Sequence, residues 1–377
     1  MELVNPNKTI DFMKLRKPVV SASLLLVVLS LISLFVPGPN YGIDFAGGTE
    51  LQLAFGGDID SAEIRGTLES LGYEGSDVVR VEGADNTYMI RVREVSALPE
   101  EQAEALEGIV ATNVGEDNLR EFKLSPGGDK ITLRLGTQPD LASLRSAIEG
   151  AGAEVRGEIN ALPGSDDVRL EIQLVGVADE LVSQLQSELA ERGPASPERA
   201  EWVGPKAGEQ LRDAAVKSLL YAIAFIMVYV AFRFDLRFAP GGVIAMFHDA
   251  VITLGIYVVV QKEVNLTTVA ALLTILGYSI NDTIVVYDRI RENMGRYRDL
   301  SMSEIINRST SQMLSRTIVT SATTLLSVTA FFIWGTSVIQ DIAFALFCGI
   351  LIGTYSSIYI AAPVTEWMDR RFFQKAA

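Results

Sequence analysis

A long apolar run that contains a carboxylate constrains this chain more than any other feature of its sequence. Residues 266–287 are long and apolar enough to cross a bilayer, since about 20 residues at about 1.5 Å each span a hydrocarbon core of about 30 Å. Asn281 and Asp282 lie inside this run. A carboxylate at such a depth costs about 3 kcal/mol on insertion scales, so it indicates a functional site. The alternative is an acid that reaches headgroup water, because Asp288 and Arg289 follow only about 9 Å further on.

The composition agrees with a membrane protein that carries an acidic soluble domain. Of the 377 residues 49% are hydrophobic, and the mean hydropathy is +0.26. The net charge of −15 is uneven, because residues 37–213 hold 34 acidic against 15 basic residues. An acidic domain repels phosphates, which disfavours nucleic-acid binding. The single cysteine, Cys348, excludes disulfides and thiolate metal sites within one chain, and we expect neither a metal nor a cofactor.

Six apolar stretches predict six membrane spans. The first is too long for the apolar part of a signal peptide and lacks a small-residue cleavage site, so we expect it to remain uncleaved. Basic residues cluster after the second span, between the fourth and the fifth, and in the tail, which predicts that both termini are cytoplasmic. The predicted spans are 18–36, 214–232, 239–260, 266–287, 317–334 and 342–364.

These spans predict the domain organisation of the chain. In the cytoplasmic loop, Ser301 and Glu304 have the spacing of a capping box, which predicts a helix lying in the membrane interface or, alternatively, a solvated basic loop. The predicted parts are a cytoplasmic N-terminus 1–17, the first span 18–36, an acidic extracytoplasmic domain 37–213, spans two to six within 214–366, a basic loop 288–316, and a cytoplasmic tail 367–377.

The acidic domain reads as two copies of one pattern. Alternating strands and amphipathic helices occur in the order β-α-β-β-α-β over residues 43–125 and again over 129–203. This order predicts two tandem ferredoxin-like units. The predicted fold class is therefore a polytopic α-helical membrane protein with an inserted α+β domain. Such a fold carries no function by itself.

Four polar side chains in or beside the apolar spans are candidates for chemistry, together with the neighbouring Asn281. His248 and Asp249 lie near the middle of the third span, and His248 is the only histidine of the chain. With Asp282 and with Arg316 at the edge of the fifth span, they have the composition of a proton relay. The alternatives are a histidine that only bonds a neighbouring helix and an arginine that reaches lipid phosphates.

Known hydrolase and nucleotide-binding motifs are missing from the sequence. It contains no P-loop, no Gly-x-Ser-x-Gly, no His-Glu-x-x-His and no Cys-x-x-Cys. We therefore expect a protein that is not an enzyme. Any work that it performs must draw on an ion gradient, in which 100 mV is worth about 2.3 kcal/mol per charge.

Several short stretches together resemble the SecF family of accessory subunits of the bacterial Sec protein translocase. One of them carries Gly42, Asp44, Gly47 and Gly48 just before a predicted strand, a local signal that alone indicates only a tight turn. The stretches are Ile-Asp-Phe-Met at 10–13, Gly-Ile-Asp-Phe-Ala-Gly-Gly-Thr at 42–49, Tyr-Val-Ala-Phe-Arg-Phe at 229–234, His-Asp at 248–249, Leu-Gly-Tyr-Ser-Ile-Asn-Asp-Thr at 276–283 and Tyr-Asp-Arg-Ile-Arg-Glu at 287–292.

The resemblance implies half of a transporter of the resistance-nodulation-division architecture in the bacterial inner membrane. A SecD subunit supplies the other half of a twelve-span bundle, and Asp282 and Arg316 fall at the family's proton-path positions. The implied function is late preprotein export driven by the proton-motive force, with SecYEG and possibly YajC and YidC as further partners. A second ferredoxin-like unit departs from the family pattern. A stand-alone proton-coupled exporter of lipids or drugs, or a binding module on an inert anchor, are the alternatives.

Overall fold

The computed structural model describes residues 9–81, 84–96, 98, 100–162 and 167–373. The chain divides into two compact units. The helical unit comprises Met1–Gly42 with Arg212–Ala377, and the α/β unit comprises Ile43–Leu211. Glu82 and Pro99, within the first predicted β-α-β-β-α-β unit, and the terminal segments 1–8 and 374–377 lie outside the described residues.

Twelve α-helices and ten strands are assigned within the described residues. The helices are α1 Arg16–Ser33, α2 Ile43–Ala46, α3 Ser61–Ser70, α4 Glu100–Val114, α5 Leu141–Gly150, α6 Val177–Leu189, α7 Pro205–Arg233, α8 Ala239–Val259, α9 Leu266–Arg296, α10 Met302–Trp334, α11 Ser337–Ser356 and α12 Ala362–Met368. The strands are β1 Asn40–Tyr41, β2 Gly48–Ala54, β3 Asp77–Arg80, β4 Thr87–Val92, β5 Leu119–Leu124, β6 Lys130–Leu135, β7 Asn160–Leu162, β8 Val168–Gln173, β9 Arg199–Val203 and β10 Glu263–Val264.

Six helical segments of the described chain are long and apolar enough to cross a membrane, as the sequence predicts. They correspond to α1, α7, α8, α9, α10 and the continuous run of α11 and α12 with the π-helical turns Ser357–Ala361 and Asp369–Phe373. The helices α8 and α9 are the most buried, whereas α1, α7 and α10 expose most of their apolar side chains. The bundle is therefore built around α8 and α9.

Aromatic side chains form the core at one end of the bundle. The rings of Phe238 and Tyr287 lie 5.0 Å apart, and Phe234 packs edge-on against Tyr287 at 6.1 Å. Edge-to-face and tilted contacts at such separations are favourable for aromatic pairs. They hold the start of α8 against the last third of α9.

The connection between the fourth and fifth spans differs from the prediction. The capping box of Ser301 and Glu304 is confirmed, but the helix that it opens continues without a break into the fifth span. The predicted basic loop 288–316 is thus helical except for the short connection between α9 and α10. The amide of Asn293, which is fully buried, donates to Ser309 and to Gln312. These bonds attach the start of α10 to the end of α9, so this segment packs on the bundle instead of forming a separate interfacial helix.

The α/β unit contains two four-stranded antiparallel sheets that exchange their last helix and strand. The first sheet has the order β3-β4-β2-β9, and the second has the order β5-β6-β8-β7. In the first, β2 pairs with β9, which follows it by almost 150 residues. The two contiguous units that the sequence predicts are therefore not confirmed, because each sheet takes one strand from the other predicted unit.

The apolar cores follow the same exchange. Leu181 and Leu185 of α6 pack with Leu51 of β2 in the core of the first sheet. Leu106 of α4 packs with Ile131 of β6 in the core of the second sheet. Both pairings bury the same apolar helix faces, so helical periodicity indicates which face is buried but not which sheet covers it.

The exchange predicts a specific crosslink. Gln52 and Arg199 lie directly opposite each other on β2 and β9. Opposed residues of antiparallel strands have Cα atoms about 5 Å apart, which suits a disulfide. In a Cys348→Ser background, we expect Gln52→Cys with Arg199→Cys to oxidise to an intrachain disulfide, detected by mass spectrometry of proteolytic fragments. The control, Gln52→Cys with Glu121→Cys, places a thiol on β5, which a contiguous unit would have beside β2. Crosslinking in the control alone would contradict the exchanged topology.

A second prediction concerns the acid stability of the second sheet. Arg134 donates to Asp167 at 2.6 Å, and this bond, helped by the nearby Arg120, holds the pKa of the Asp167 carboxyl below its usual range. A carboxyl with a lowered pKa stabilises the fold above its ordinary pKa of about 4, and the contribution is lost as the pH falls through the lowered value. We expect Asp167→Asn to lower the melting temperature at pH 7 and the difference to shrink in acid. Glu188→Gln, at an exposed position, serves as the control and should change neither.

Candidate functional site

A buried histidine and aspartate occupy the centre of α8. The exposed fraction of the side chain is 5% for His248 and zero for Asp249. The imidazole Nδ1 lies 2.8 Å from Asp249 Oδ1, which is hydrogen-bond distance. A buried carboxylate is stable only where it is paired or well supplied with donors, so its remaining partners decide what this pair can do.

Two serine hydroxyls from other helices supply those donors. Ser279 of α9 donates to Asp249 Oδ2 at 2.5 Å, and Ser356 of α11 donates to the same oxygen at 2.8 Å. Gly353 allows α11 to approach closely, because a Cβ there would lie 3.1 Å from the Cβ of Ser279. Asp249 therefore joins three helices at one point and has hydrogen bonds at both of its oxygens.

The other imidazole nitrogen, Nε2, connects the pair through Tyr355 to a fourth helix, α1. The hydroxyl of Tyr355, on α11, lies 3.1 Å from His248 Nε2, and its ring packs edge-on against the imidazole. Ser23 of α1, which is buried, donates to this hydroxyl at 3.3 Å. We call Ser23, Tyr355, His248, Asp249, Ser279 and Ser356 the polar network.

Asp282 lies one turn beyond Ser279 on the buried face of α9. It is 5% exposed, and its Oδ2 is buried without a hydrogen-bond partner among the described residues. Arg316 is near enough for its charge to act on Asp282, but the guanidinium is exposed and the two side chains form no ion pair within the described part of the chain. Asn281 is exposed as well.

The predicted relay residues therefore fall into two groups. His248 and Asp249 are in direct contact, whereas Asp282, Asn281 and Arg316 lie at or near a surface of the isolated helical unit. Their roles in proton transfer stay predictions. The sequence analysis missed Ser23, Tyr355 and Ser356, whose only signal is a hydroxyl inside an apolar run.

The glycines of the stretch 42–49 have structural roles. Strand β1 pairs with β10 in parallel, and Gly42 N–H donates to Val264 at 3.1 Å. A Cβ at Gly42 would overlap the carboxylate of Glu263, 1.9 Å from Oε1. Gly48 has φ +124°, and a Cβ there would lie 2.4 Å from the carbonyl oxygen of Val92. Asp44 lies in the short helix α2, and Gly47, with φ +76°, precedes β2.

The N-terminal stretch 10–13 is held by α10. The amide of Asn307 donates to Asp11 at 2.8 Å, and its oxygen accepts from the backbone N–H of Met13 at 3.0 Å. Ser311 accepts from the backbone N–H of Ile10 at 2.9 Å. These contacts fix the chain just before α1 to the helix that carries Arg316.

The polar network has the groups that proton transfer inside a membrane protein requires. An imidazole changes its charge between about pH 5 and pH 8 and has two distinct nitrogens. Here one nitrogen faces a carboxylate and the other faces a phenol hydroxyl. A proton on either nitrogen thus has a hydrogen-bond partner without water.

Residues 184–371 match a family described as "Protein export membrane protein SecD/SecF, C-terminal", and residues 32–58 match the "SecD/SecF GG Motif". Among similar proteins, "Protein translocase subunit SecF" of Magnetococcus marinus is 37% identical over 97% of this chain and 94% of that protein. "Protein translocase subunit SecF" of Pseudomonas aeruginosa is 33% identical over 96% and 92%.

Two further matches are to longer proteins. "Protein translocase subunit SecDF" of Thermus thermophilus is 35% identical over this whole chain, which spans 41% of that protein. The crystal structure of SecDF from the same organism, described as a translocon-associated membrane protein, has a TM-score of 0.65 and 31% identity. The alignment with this structure covers 98% of this chain and 40% of that one.

The polar network predicts graded losses of stability. Ser356→Ala removes one of two hydroxyl donors, and a single hydrogen bond between membrane helices is worth about 0.6 kcal/mol on average. Asp249→Asn replaces the shared acceptor, which we expect to cost about 3 kcal/mol, as for a broken buried pair. Reversible unfolding in detergent measures both.

Ser357→Ala is the matched control for these variants. Ser357 is equally buried, but its hydroxyl donates to Thr354 within its own helical segment. An effect of Ser357→Ala as large as that of Asp249→Asn would contradict the central position of the carboxylate.

Proposed function

The chain belongs to the SecF family of protein translocase subunits, and on this premise we propose that it uses the proton-motive force, with a SecD-type partner, to drive late preprotein export. Its relatives and its six apolar helices identify a multi-pass membrane protein of protein transport. The observation that carries the coupling to protons is the set of carboxylates, Asp249 and Asp282, buried between the helices.

A polar stripe on the outside of the helical unit supports a helical partner. On α9 the exposed residues Ala270, Thr274, Gly277 and Asn281 recur every three or four positions, so they share one face. Small and polar residues are typical of contacts between membrane helices, because they allow close approach and hydrogen bonding. Such a stripe is not typical of a helix face that contacts lipid.

The neighbouring helix α10 carries a similar stripe with a charge. Its exposed residues include Arg316, Thr320, Thr323 and Ser327, again with spacings of three and four. An arginine that faces hydrocarbon is costly, so Arg316 is better placed against another polar helix. The fused relative, named SecDF, is more than twice as long as this chain. Together these observations support a SecD-type half that covers α9 and α10.

In the proposed mechanism, Asp282 changes its protonation state at this covered face. The carboxylate has one oxygen without a partner in the described chain, and Arg316 and the partner's helices would complete its surroundings. The polar network around His248 and Asp249 lies one turn away along α9 and responds to the same gradient. At 100 mV each proton supplies about 2.3 kcal/mol, which is enough to shift a two-state packing of comparable energy gap.

The remaining features of the proposal follow from the family and the sequence. The protein lies in the bacterial inner membrane with both termini cytoplasmic and the α/β unit periplasmic, within the domain bounds predicted above. Its further partners are the SecYEG channel, the translocating preprotein and possibly YajC and YidC. We also propose that the two sheets are ferredoxin-like units that have exchanged their last helix and strand, because each sheet with its two helices contains the parts of one β-α-β-β-α-β unit.

The two alternatives have weaker support. A stand-alone exporter is disfavoured because the relatives are named as protein translocase subunits. A binding module on an inert anchor is disfavoured by the cost of keeping Asp249 and Asp282 among apolar helices.

The proposal predicts that Asp282→Asn strongly slows proton-driven export. The amide keeps the size of the side chain but cannot take up and release a proton, so we expect the proton-dependent rate to fall about tenfold or more. The measurement is completion of preprotein export by vesicles that contain this chain, its SecD-type partner and the channel, with and without a proton gradient.

Asp288→Asn is the matched control. It removes the same charge from the same helix, but Asp288 is exposed and already paired with Arg291 at 2.9 Å. We expect the rate of export by this variant to stay within about twofold of wild type, since exposed ion pairs contribute little. Unchanged proton-driven export in Asp282→Asn would refute the coupling role while leaving family membership intact.

A further inference from the structure

The first helix, α1, contacts the rest of the polar network through the hydroxyl of Ser23. Ser23 of α1 contacts Tyr355 of α11, and Tyr355 contacts His248 of α8, at 3.3 and 3.1 Å. The buried residues of α1 are Ser23, Ser30 and Ser33. This helix therefore has hydroxyl groups where a core helix usually has large apolar side chains.

When His248 is neutral, the hydrogen bonds from Ser23 through Tyr355 to His248 have one fixed direction. Asp249 as a carboxylate only accepts, so His248 Nδ1 carries the proton that is shared with it. His248 Nε2 is then an acceptor, and Tyr355 must donate to it. The oxygen of Tyr355 in turn accepts from Ser23, so all the donated protons point from α1 towards α8.

Protonation of His248 reverses the direction of these hydrogen bonds. Imidazolium donates from both nitrogens, so Nε2 now donates to the Tyr355 oxygen. The hydroxyl proton of Tyr355 then needs a new acceptor, and the Ser23 oxygen is the one within reach. Ser23 can turn its own proton to a carbonyl of its helix, as Ser33 already does with Ser30 at 2.8 Å.

We propose that Ser23 and Tyr355 are positioning residues of a switch in which the protonation of His248 reverses the hydrogen bonds between α1 and the bundle. This inference rests on the proposed use of protons by the chain. In this switch, the hydrogen bond of α1 to the bundle changes with the charge of His248.

The surroundings of His248 allow few other responses. Within the described residues, the titratable groups that bond it are Asp249 from its own helix and Tyr355 from α11. The helix α9 contributes the neutral hydroxyl of Ser279 to Asp249, and α1 contributes the neutral hydroxyl of Ser23. A change of charge at His248 is thus transmitted through hydroxyl orientation.

The single histidine permits a direct test. The full chain is labelled with ¹⁵N-histidine, purified without a histidine tag and placed in lipid nanodiscs, so that one imidazole gives the whole signal. Imidazole ¹⁵N shifts distinguish the two neutral tautomers and the imidazolium. In the wild type we expect the tautomer with the proton on Nδ1 at high pH and imidazolium at low pH.

The variants distinguish the hydrogen-bond direction of neutral His248 from that of protonated His248. Tyr355→Phe removes the Nε2 partner in both states, so the Nε2 resonance should move at high and at low pH. Ser23→Ala removes only the acceptor that Tyr355 needs after reversal, so the resonance should match wild type at high pH and differ at low pH. Ser23→Thr retains a hydroxyl and should restore the wild-type spectrum.

Ser33→Ala is the control, because Ser33 is a buried serine of the same helix whose hydroxyl donates to Ser30 within it. Its spectrum should equal wild type at both pH values. A wild-type proton on Nε2 in the neutral state, a histidine that never becomes imidazolium, or identical changes in Ser23→Ala and Ser33→Ala would each overturn the switch. None of these results affects the test of Asp282, so the switch and the proposed function fail separately.

Discussion

The buried carboxylate of Asp249 is the constraint on which the packing of the bundle depends. It accepts hydrogen bonds from residues of three helical segments, His248 on its own helix, Ser279 on α9 and Ser356 on α11. If any of these helices moves away, the charge loses a donor in a medium that offers no water to replace it. Small residues such as Gly353 keep the backbones close enough for these short bonds. These polar contacts add to the apolar core of the bundle, which includes Phe238, Leu276 and Tyr287.

The periphery of the helical unit is not uniform. Helices α1 and α7 expose large apolar side chains, such as Phe225 and Leu24, which suit lipid. Helix α9 exposes a stripe of small and polar residues, and α10 has, beside exposed apolar side chains such as Leu326, a stripe of hydroxyl-bearing residues with the charge of Arg316. A carboxylate with an unbonded oxygen, Asp282, lies just inside that polar face. These features support the proposal that similar helices of a SecD-type partner cover this face.

Much of this architecture could be predicted from sequence, and the failures have physical causes. The six spans and the capping box at Ser301 depend on local composition and spacing, which the sequence contains directly. The adjacency of His248 and Asp249 is visible in the sequence, but their hydrogen bond is not, because successive residues of a helix do not face each other. The exchange of β9 and β5 between the sheets could not be predicted, because both topologies bury the same faces of α4 and α6. Tyr355 and Ser356 were missed because a hydroxyl in an apolar run bonds its own helix as readily as a neighbour, and only the packing decides between the two.

The contact of α1 with the polar network is small enough for a change at His248 to alter it. A helix held by large buried side chains would cost several kilocalories per mole to shift, since each such side chain contributes about 1.5–3 kcal/mol. The buried residues of α1 are serines, and Gly255 of α8 faces one of them, Ser30, at a distance that leaves no room for a Cβ. Beyond the helix, β1 attaches the chain to β10 through parallel pairing and the bond of Gly42. Between these points α1 packs against α8, and Arg16 at its start pairs with the buried Glu366. The single bond of Ser23 to Tyr355 is worth about 1 kcal/mol, which is below the energy of one proton in the gradient. A reversal of the bonds at Ser23 is therefore of the right size to change how α1 sits against α8 without disrupting the core.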